Sequence, residues 1–328
     1  MESLVLYRII YALAAANGRE KALFGTCAPA AEEAFCRSCP TSDFPELWFE
    51  LPLLGDPWFD LHALTSRDSV DSGMEFSPQT TGGYPEVFRW FAQAHGVRHL
   101  ALSWDVSLGI EEGPAVQLLR WNEDSDVTCS FLEAAGRPDA VPGYRTFTNG
   151  MPEGWFACYA GVFPQRPEHN LRVECIPHRE LQRAYSEDAG LIEEHLRQIG
   201  VSSGVREIAE RCKLLAGMPF HFEFQFDVEP DGSAGSTLGA SVRFASRPGE
   251  KGYDVFNPNG SAGELMRYVE DWGLADDRWR LLEGAMFAKR VKRGAESSLL
   301  YCIPTFVKLR WREGVPLDAK AYLIAGVS

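Results

Sequence analysis

The chain has 328 residues, of which 45% are hydrophobic and 12% aromatic, which is enough for a large core. Its formal net charge of −14 makes it a poor candidate for general binding to nucleic acid or to anionic membranes. No apolar run is long enough to span a bilayer. Glu2 and Arg8 interrupt the apolar N-terminus in a way that is unlike a signal peptide. We therefore predict a soluble cytoplasmic protein in which an amphipathic helix within residues 1–18 covers another element.

The cysteines indicate a reduced protein. Five of them stand singly in apolar patterns that are typical of buried free thiols: Cys129, Cys158, Cys175, Cys212 and Cys302. Cys36 and Cys39 have the spacing of metal ligands, with Cys27 nearby, but no second CxxC motif and no paired histidines complete a set of four ligands. We predict no metal site, and a site on these three cysteines stays an alternative.

In chain order, strand patterns come in pairs and helix patterns follow most of the pairs. The predicted strands are 57–66, 73–78, 98–107, 114–122, 154–163, 170–176, 219–228, 235–245, 300–312 and 317–327. The predicted helices are 83–95, part of 128–150, 178–199, 204–216, 261–273 and 276–291. Pro230-Asp231-Gly232 marks the turn of the fourth hairpin, and residues 313–316 mark that of the last. This gives about ten strands in five hairpins.

Strand 219–228 predicts which face of the sheet is apolar. Its phenylalanines, Phe220, Phe222, Phe224 and Phe226, alternate with His221, Glu223, Gln225 and Asp227. The helices after the hairpins need an apolar sheet face to pack on, and the phenylalanines provide it. We therefore predict an α/β (α+β) fold, one antiparallel barrel of about ten strands built from repeated ββα(α) units. The helices lie outside, the lumen is polar, the barrel is a single domain over 1–328, and residues 1–45 form a packed extension.

The same alternation predicts a lumen of mixed charge. The cations on the inward face are Arg172, Arg243, Lys308, Arg310 and Lys320, and the carboxylates are Asp60, Glu174, Glu223 and Asp227. A cluster of cations suits a diphosphate, and an opposing carboxylate suits a base. Alternating charges also fit a solvated sheet face, and that alternative stays open.

Hairpins that alternate with helices, in a chain of this length, resemble the ABBA-type (PT-barrel) aromatic prenyltransferases, above all the cyanobactin-type peptide and the indole prenyltransferases. The last hairpin carries the closest local similarity, because Lys320-Ala-Tyr322 resembles the K-x-Y strand of that family. The resemblance implies that Lys320 and Tyr322 contact the diphosphate, with Lys308 and Arg310 by analogy. Arg172 and Arg243 complete the predicted diphosphate site.

Phe59-Asp60-Leu61-His62 is similar to the Glu-x-Ser motif on the first strand of the family, with Asp and His as departures. The resemblance implies that Asp60 is the base, and Glu75 in Gly-Met-Glu-Phe-Ser competes for the role. The predicted lumen and acceptor residues are His62, His221, Glu223, Gln225 and Trp104.

The resemblance implies transfer of a dimethylallyl or geranyl group from its diphosphate to an aromatic or heteroatom nucleophile, such as a side chain of a ribosomal peptide. No motif requires Mg²⁺. The alternative is a barrel, either non-catalytic or with a different catalytic activity, that binds a small anionic ligand or a peptide. We expect a monomer or weak dimer without a nucleic-acid partner, and we interpret the basic run 288–294 as a helix C-terminus capped by Gly294.

Overall fold

The computed structural model describes residues 7–12, 20–26, 29, 32–33, 46–66, 84–106, 114–119, 125–164, 166, 171–244, 256–285, 287–293 and 296–327. The strands are β1 Glu46–Pro52, β2 Asp60–Ser66, β3 His99–Trp104, β4 Ala115–Leu119, β5 Trp155–Val162, β6 Leu171–Pro177, β7 His221–Val228, β8 Ala234–Arg243, β9 Phe287–Arg293, β10 Glu296–Arg312 and β11 Val315–Val327. The helices are α1 Glu20–Leu23, α2 Pro85–Gln93, α3 Ser125–Ala134, α4 Val141–Asn149, α5 Arg179–Glu187, α6 Ala189–Gln198, α7 Val205–Ala216 and α8 Ser261–Asp271.

All strand pairs are antiparallel, and ten strands close into a barrel. β11 closes it, because it pairs with β10 along its length and with β1 through residues 46–52. β10 is 17 residues long. Its second half pairs with β8, and its first half pairs with β9, which extends the sheet beside the barrel. The predicted closed antiparallel barrel of about ten strands is confirmed.

The barrel has the predicted polarity, as β7 illustrates. Phe222, Phe224 and Phe226 are fully buried in the main core. The ring of Phe226 packs 5.6 Å from Phe147 of α4, and Phe224 lies 6.3 Å from Tyr185 of α5. Burial of each phenylalanine stabilises the fold by about 1.5–3 kcal/mol. The apolar face of the sheet is therefore its outer face, covered by helices.

The first hairpin differs from the prediction. β2 pairs with β1 on one edge and with β3 on the other, so a hairpin between 57–66 and 73–78 is wrong. Residues 73–78 lie outside the described residues. The sequence did not predict β1, the strand that pairs with β2 instead. The prolines at positions 45 and 52 favour an irregular segment by local rules, yet Leu47, Phe49 and Leu51 of β1 alternate and are buried.

The predicted helix 276–291 is also wrong. Residues 277–285 form a 3₁₀ segment, and the basic run belongs to β9, with Lys289, Arg290 and Lys292 exposed. The first half of β10 extends beyond the end of β8 and offers free backbone groups there. Pairing with β10 satisfies the backbone of 287–293 and overrides the local helical pattern.

The N-terminal helix is confirmed where it is described, at residues 7–12. Tyr7 and Ile10 are buried, and the Tyr7 ring lies 6.2 Å from Phe49 and 6.3 Å from Phe59. This helix therefore covers the outer face of β1 and the segment before β2.

The five single cysteines are free and buried, as predicted. Cys27, Cys36 and Cys39 lie outside the described residues. Of the helices that the structure describes, none combines the length and the apolar character needed to cross a membrane.

Candidate functional site

The barrel encloses a chamber of about 680 Å³, which includes space open to solvent. Aromatic rings line much of it: Trp48, Tyr159, Phe163, Phe306 and Tyr322. Charged side chains line the rest: Glu50, Asp105, Arg166, Arg172, Glu174, Arg243 and Lys308. The lumen of mixed charge that the sequence predicts is present.

Glu50 of β1 occupies the centre of the charged cluster. Its carboxylate accepts a hydrogen bond from the Tyr322 hydroxyl and lies 2.6 Å from Lys320 Nζ, 3.8 Å from Lys308 Nζ and 3.3 Å from His62 Nε2. Burial alone would raise the pKa of Glu50, but Lys308, Lys320 and His62 outweigh it and hold the pKa well below its usual range. Sequence reasoning missed Glu50. Its alternation with Leu47, Phe49 and Leu51 is the signal that could have found it.

Asp60 lies behind Lys320, 3.4 Å from its Nζ, and is 2% exposed. Its Oδ1 has no hydrogen-bond partner among the described residues. Burial raises the pKa of Asp60 to about 6, partly opposed by Lys320. Asp60 is not among the residues that line the chamber, so Lys320 and Glu50 stand between it and a ligand.

Each of the three arginines that the sequence predicts for the diphosphate site has a carboxylate partner. Arg172 Nε donates to Asp227 Oδ1 at 2.8 Å, and Arg310 Nε donates to Asp318 Oδ1 at 2.7 Å. Arg243 Nε lies 3.4 Å from Glu223 Oε1. The predicted cations are therefore gathered in the lumen, but as ion pairs, which the sequence alone did not indicate.

Lys308 and Lys320 are register partners on β10 and β11, so their side chains lie side by side. Lys308 lines the chamber, and Lys320 is buried behind it against Glu50 and Asp60. Burial lowers the pKa of Lys308 to about 8, although Glu50 acts in the opposite direction. An anion bound at this point would gain two ammonium groups that a single hairpin holds in place.

One wall of the chamber is a stack of aromatic rings beside these cations. The rings of Phe306 and Tyr322 stack with centroids 3.9 Å apart, and Trp48 meets Phe306 edge-on at 5.6 Å. Lys308 Nζ lies 4.9 Å from the Tyr322 centroid, and the Arg243 guanidinium lies 4.9 Å from that of Phe306. This wall offers ring faces to a positive charge.

Arg166 on the opposite wall was not predicted. Its guanidinium donates to Asp105 and lies 4.6 Å from the Phe163 centroid, and Arg172 lies 5.1 Å from the same ring. Arg166 Nη1 has no hydrogen-bond partner among the described residues. Arg166 follows the end of β5, where alternation no longer indicates direction.

Several predicted residues lie elsewhere. Trp104 lies in the apolar core and shares its face of β3 with Leu100 and Leu102, so the prediction that it faces the lumen is wrong. His221 begins β7 and is exposed at the barrel end. Glu223 and Gln225 face the lumen with His62, and Gln225 lines the chamber. Glu75 lies outside the described residues.

No group of three or more histidine, cysteine, aspartate or glutamate side chains able to hold a metal ion occurs within the described ranges.

The closed antiparallel barrel of ββα units, with helices outside and a polar lumen, defines the PT-barrel fold. The crystal structure of the prenyltransferase PriB in its apo form aligns with this chain at a TM-score of 0.54. The alignment covers 98% of this chain and 95% of that chain at 13% sequence identity, so the likeness concerns the fold. A ternary complex of PriB with L-tryptophan and dimethylallyl thiolodiphosphate gives a TM-score of 0.48 at 12% identity over the same shares. No family model matches the sequence, and no curated protein matches it significantly.

Proposed function

We propose that this chain is a prenyltransferase that moves an isoprenyl group from its diphosphate to an aromatic or heteroatom nucleophile. The observation that carries the proposal is the chamber, in which Lys308, with Lys320 buried behind it, lies against the stacked rings of Phe306 and Tyr322. Ionisation of the donor produces a diphosphate, which ammonium groups stabilise, and an allylic cation, which aromatic rings stabilise. The shared fold with PriB, a prenyltransferase, supports the same function.

Lys308 and Lys320 hold the diphosphate in this proposal, with Arg172, Arg243, Arg310 and the Tyr322 hydroxyl around it. As the carbon–oxygen bond of the donor breaks, both bonding electrons go to the diphosphate, and the ammonium groups stabilise the added charge. The rings of Tyr322 and Phe306 stabilise the allylic cation through their faces and exclude water from it. A dimethylallyl or geranyl donor supplies this chemistry.

Glu50 takes the proton that the nucleophile loses when its new bond to carbon forms. Glu50 reaches the chamber, whereas Asp60 lies behind Lys320, so we move the role of base from Asp60 to Glu50. In the empty chamber Lys308 and Lys320 hold the pKa of Glu50 low. Donor diphosphate binds the same ammonium groups, which removes part of their effect and raises the basicity of Glu50 when the nucleophile needs it. Asp60 then holds Lys320 in place through their ion pair, and Glu75 remains a second candidate for the base.

The test is incubation with dimethylallyl or geranyl diphosphate and aromatic or peptide acceptors, with measurement of diphosphate release and acceptor mass. Lys308→Gln removes one ammonium group, and we expect it to lower turnover by about a hundredfold or more. Lys320→Ala should abolish turnover. Lys289→Gln, on the exposed face of β9, is the matched control and should leave turnover unchanged. Absence of any thermal stabilisation by either donor would contradict the proposal.

A binding barrel without chemistry is the second candidate. It is favoured by the carboxylate partners of the cations, which a diphosphate must displace or share. Such a protein would bind a small anion or a peptide and would release no diphosphate from either donor. For an enzyme or a binding protein, we propose the cytoplasm as the location, since the described cysteines are free and buried.

A further inference from the structure

The proposed transfer leaves one pair of carboxyl groups in the chamber unused. Glu174 of β6 lines the cavity and is half-buried, and Glu223 of β7 is 2% exposed beside it. The two side chains lie within hydrogen-bond reach of each other on the paired strands β6 and β7. Burial, followed by the charge of Glu223, raises the pKa of Glu174 to about 8.

The wall next to this pair offers further polar groups. Ser241 is the register partner of both Glu223 and Lys308, and it is fully buried. Its hydroxyl has no hydrogen-bond partner among the described residues. Gly239 precedes it on the same face, opposite Gln225, and carries no side chain into the lumen. A ligand group with several N–H donors would find carboxyl, hydroxyl and amide oxygens here.

The charge of the lumen favours a cationic group at this position. The described carboxylates in and below the chamber outnumber the described cations there. The carboxylates are Glu46, Glu50, Asp60, Asp105, Glu174, Glu223, Asp227 and Asp318, and the cations are Arg166, Arg172, Arg243, Lys308, Arg310 and Lys320. A bound donor diphosphate makes the chamber more negative still.

Charged and titratable groups approach the pair from several strands. They are Cys158 and Tyr159 of β5, Arg243 of β8, Lys308 of β10 and Tyr322 of β11. Only Arg243 and Lys308 of these carry positive charge, and both also face the donor diphosphate in the proposed function. A bound diphosphate therefore competes with the pair for both cations.

We infer that Glu174 and Glu223 form the acceptor subsite, and that this subsite binds a guanidinium group between its two carboxyl groups. The inference rests on the proposed function, because it names the acceptor class of the same chamber. A planar guanidinium presents paired N–H donors to two neighbouring carboxylates, which a neutral ring cannot do. On binding, the proton that the raised pKa of Glu174 keeps on its carboxyl group leaves to the buffer. The guanidinium replaces the charge of that proton, so the total charge of the subsite is conserved.

The experiment compares N-acetyl-L-arginine amide with its neutral isostere N-acetyl-L-citrulline amide by calorimetry. The protein is saturated with dimethylallyl thiolodiphosphate, the non-reacting donor analogue. We expect the arginine compound to bind about tenfold more tightly or better. Measurements in two buffers of different ionisation enthalpy should report proton release near pH 7, and affinity should rise from pH 6 to pH 8 as the competing proton is lost. Equal affinity of the two compounds, or binding without proton release, would overturn the inference.

Glu174→Gln keeps the shape of the side chain and should remove both the preference for arginine and the proton release. Glu193→Gln removes an exposed carboxylate of α6 that pairs with Arg197, and it should change neither. If Glu174→Gln loses its native circular dichroism, the comparison of the two compounds on the unmodified chain still decides the matter. Donor binding and turnover are measured separately. Failure of the donor analogue to bind sinks the proposed function, whereas failure of the arginine preference sinks only this inference.

Discussion

Four ionisable side chains beside the chamber depend on one another. Lys320 lies between Glu50 and Asp60, and Lys308 lies on the other side of Glu50. All four are nearly inaccessible to solvent, so each carboxylate is tolerable only because an ammonium group lies close to it. The cluster is held by backbone register, since Lys308 and Lys320 face each other across β10 and β11.

Replacement of Lys320 by methionine should therefore destabilise the fold strongly. It leaves Glu50 and Asp60 buried without their shared cation, and we expect a loss of about 3–5 kcal/mol in the free energy of unfolding, measured by urea denaturation. Adding Glu50→Gln to Lys320→Met should recover part of that loss. Arg89→Met, which breaks the exposed ion pair with Glu86 on α2, should change the stability little. A loss from Lys320→Met no larger than that from Arg89→Met would contradict this account of the cluster.

For single residues, the sequence indicated most of the cations in the lumen but not the carboxylates that pair with them. Alternation placed Lys308, Lys320 and Tyr322 on one face, and the structure brings them together. Glu50 was missed because β1 was missed. Trp104 was misplaced because the direction of an isolated tryptophan depends on the residue at which its strand begins.

Among the described elements, the β10–β11 hairpin has a demanding turn. Glu313 and Gly314 both have positive φ, 51° and 80°, as a two-residue turn with right-handed strand twist requires. Gly314 also meets the loop before α7: a Cβ at position 314 would lie 2.6 Å from Gly204 Cα. The turn thus fixes the register of the hairpin that carries Lys308 and Lys320, and it holds the start of α7 against the barrel.

Gly314→Ala should therefore destabilise the fold by more than the strain of an alanine in a left-handed backbone conformation. We expect a loss of about 2–4 kcal/mol, part from the left-handed backbone and part from the contact with Gly204, measured as a lower urea midpoint. Gly136→Ala is the matched control and should cost about 1–2 kcal/mol. Gly136 has φ +74°, and a Cβ added there would meet no described atom within 4 Å. Equal losses for the two variants would show that the contact with Gly204 contributes nothing.

The elements also mark where local patterns fail. The helices with a strong apolar stripe, such as α2 and α7, lie where the sequence predicts them, since packing and local preference agree there. β9 was predicted as a helix and β1 was not predicted. β1 is a strand because β11, which is distant in the chain, offers it unpaired backbone groups. β9 is a strand because the first half of β10, which follows it directly, offers it the same groups.

The whole molecule depends on a closure between the two ends of the barrel sequence. β11 forms hydrogen-bonded pairs with β10 and with β1, so the last strand joins the first. Without it the sheet would expose two long edges and would open the lumen to water. β11 also supplies Lys320 and Tyr322, so closure and the candidate site are parts of one structure.

Removal of residues 315–328 should abolish the cooperative fold, and not merely lower its stability. We expect loss of near-ultraviolet circular dichroism and of a single urea transition, together with loss of pyrophosphate binding. Lys320→Met with Glu50→Gln provides the comparison, because it changes the site and keeps β11. A truncated chain that still unfolds in one sharp transition would contradict the role of β11 as the closing strand.

The sequence by itself determined the alternation of hairpins and helices, the apolar outer face of the sheet and most of the cations on its inner face. These follow from side-chain periodicity, which is local: one face of a strand must be buried whenever helices have to pack on it. Only the tertiary structure decided that β1 joins β11, that β9 is a strand, that Glu50 lies at the centre of the lysines and that Glu174 lies beside Glu223. Each of these depends on the register between strands, and register is set by the closure of the whole barrel.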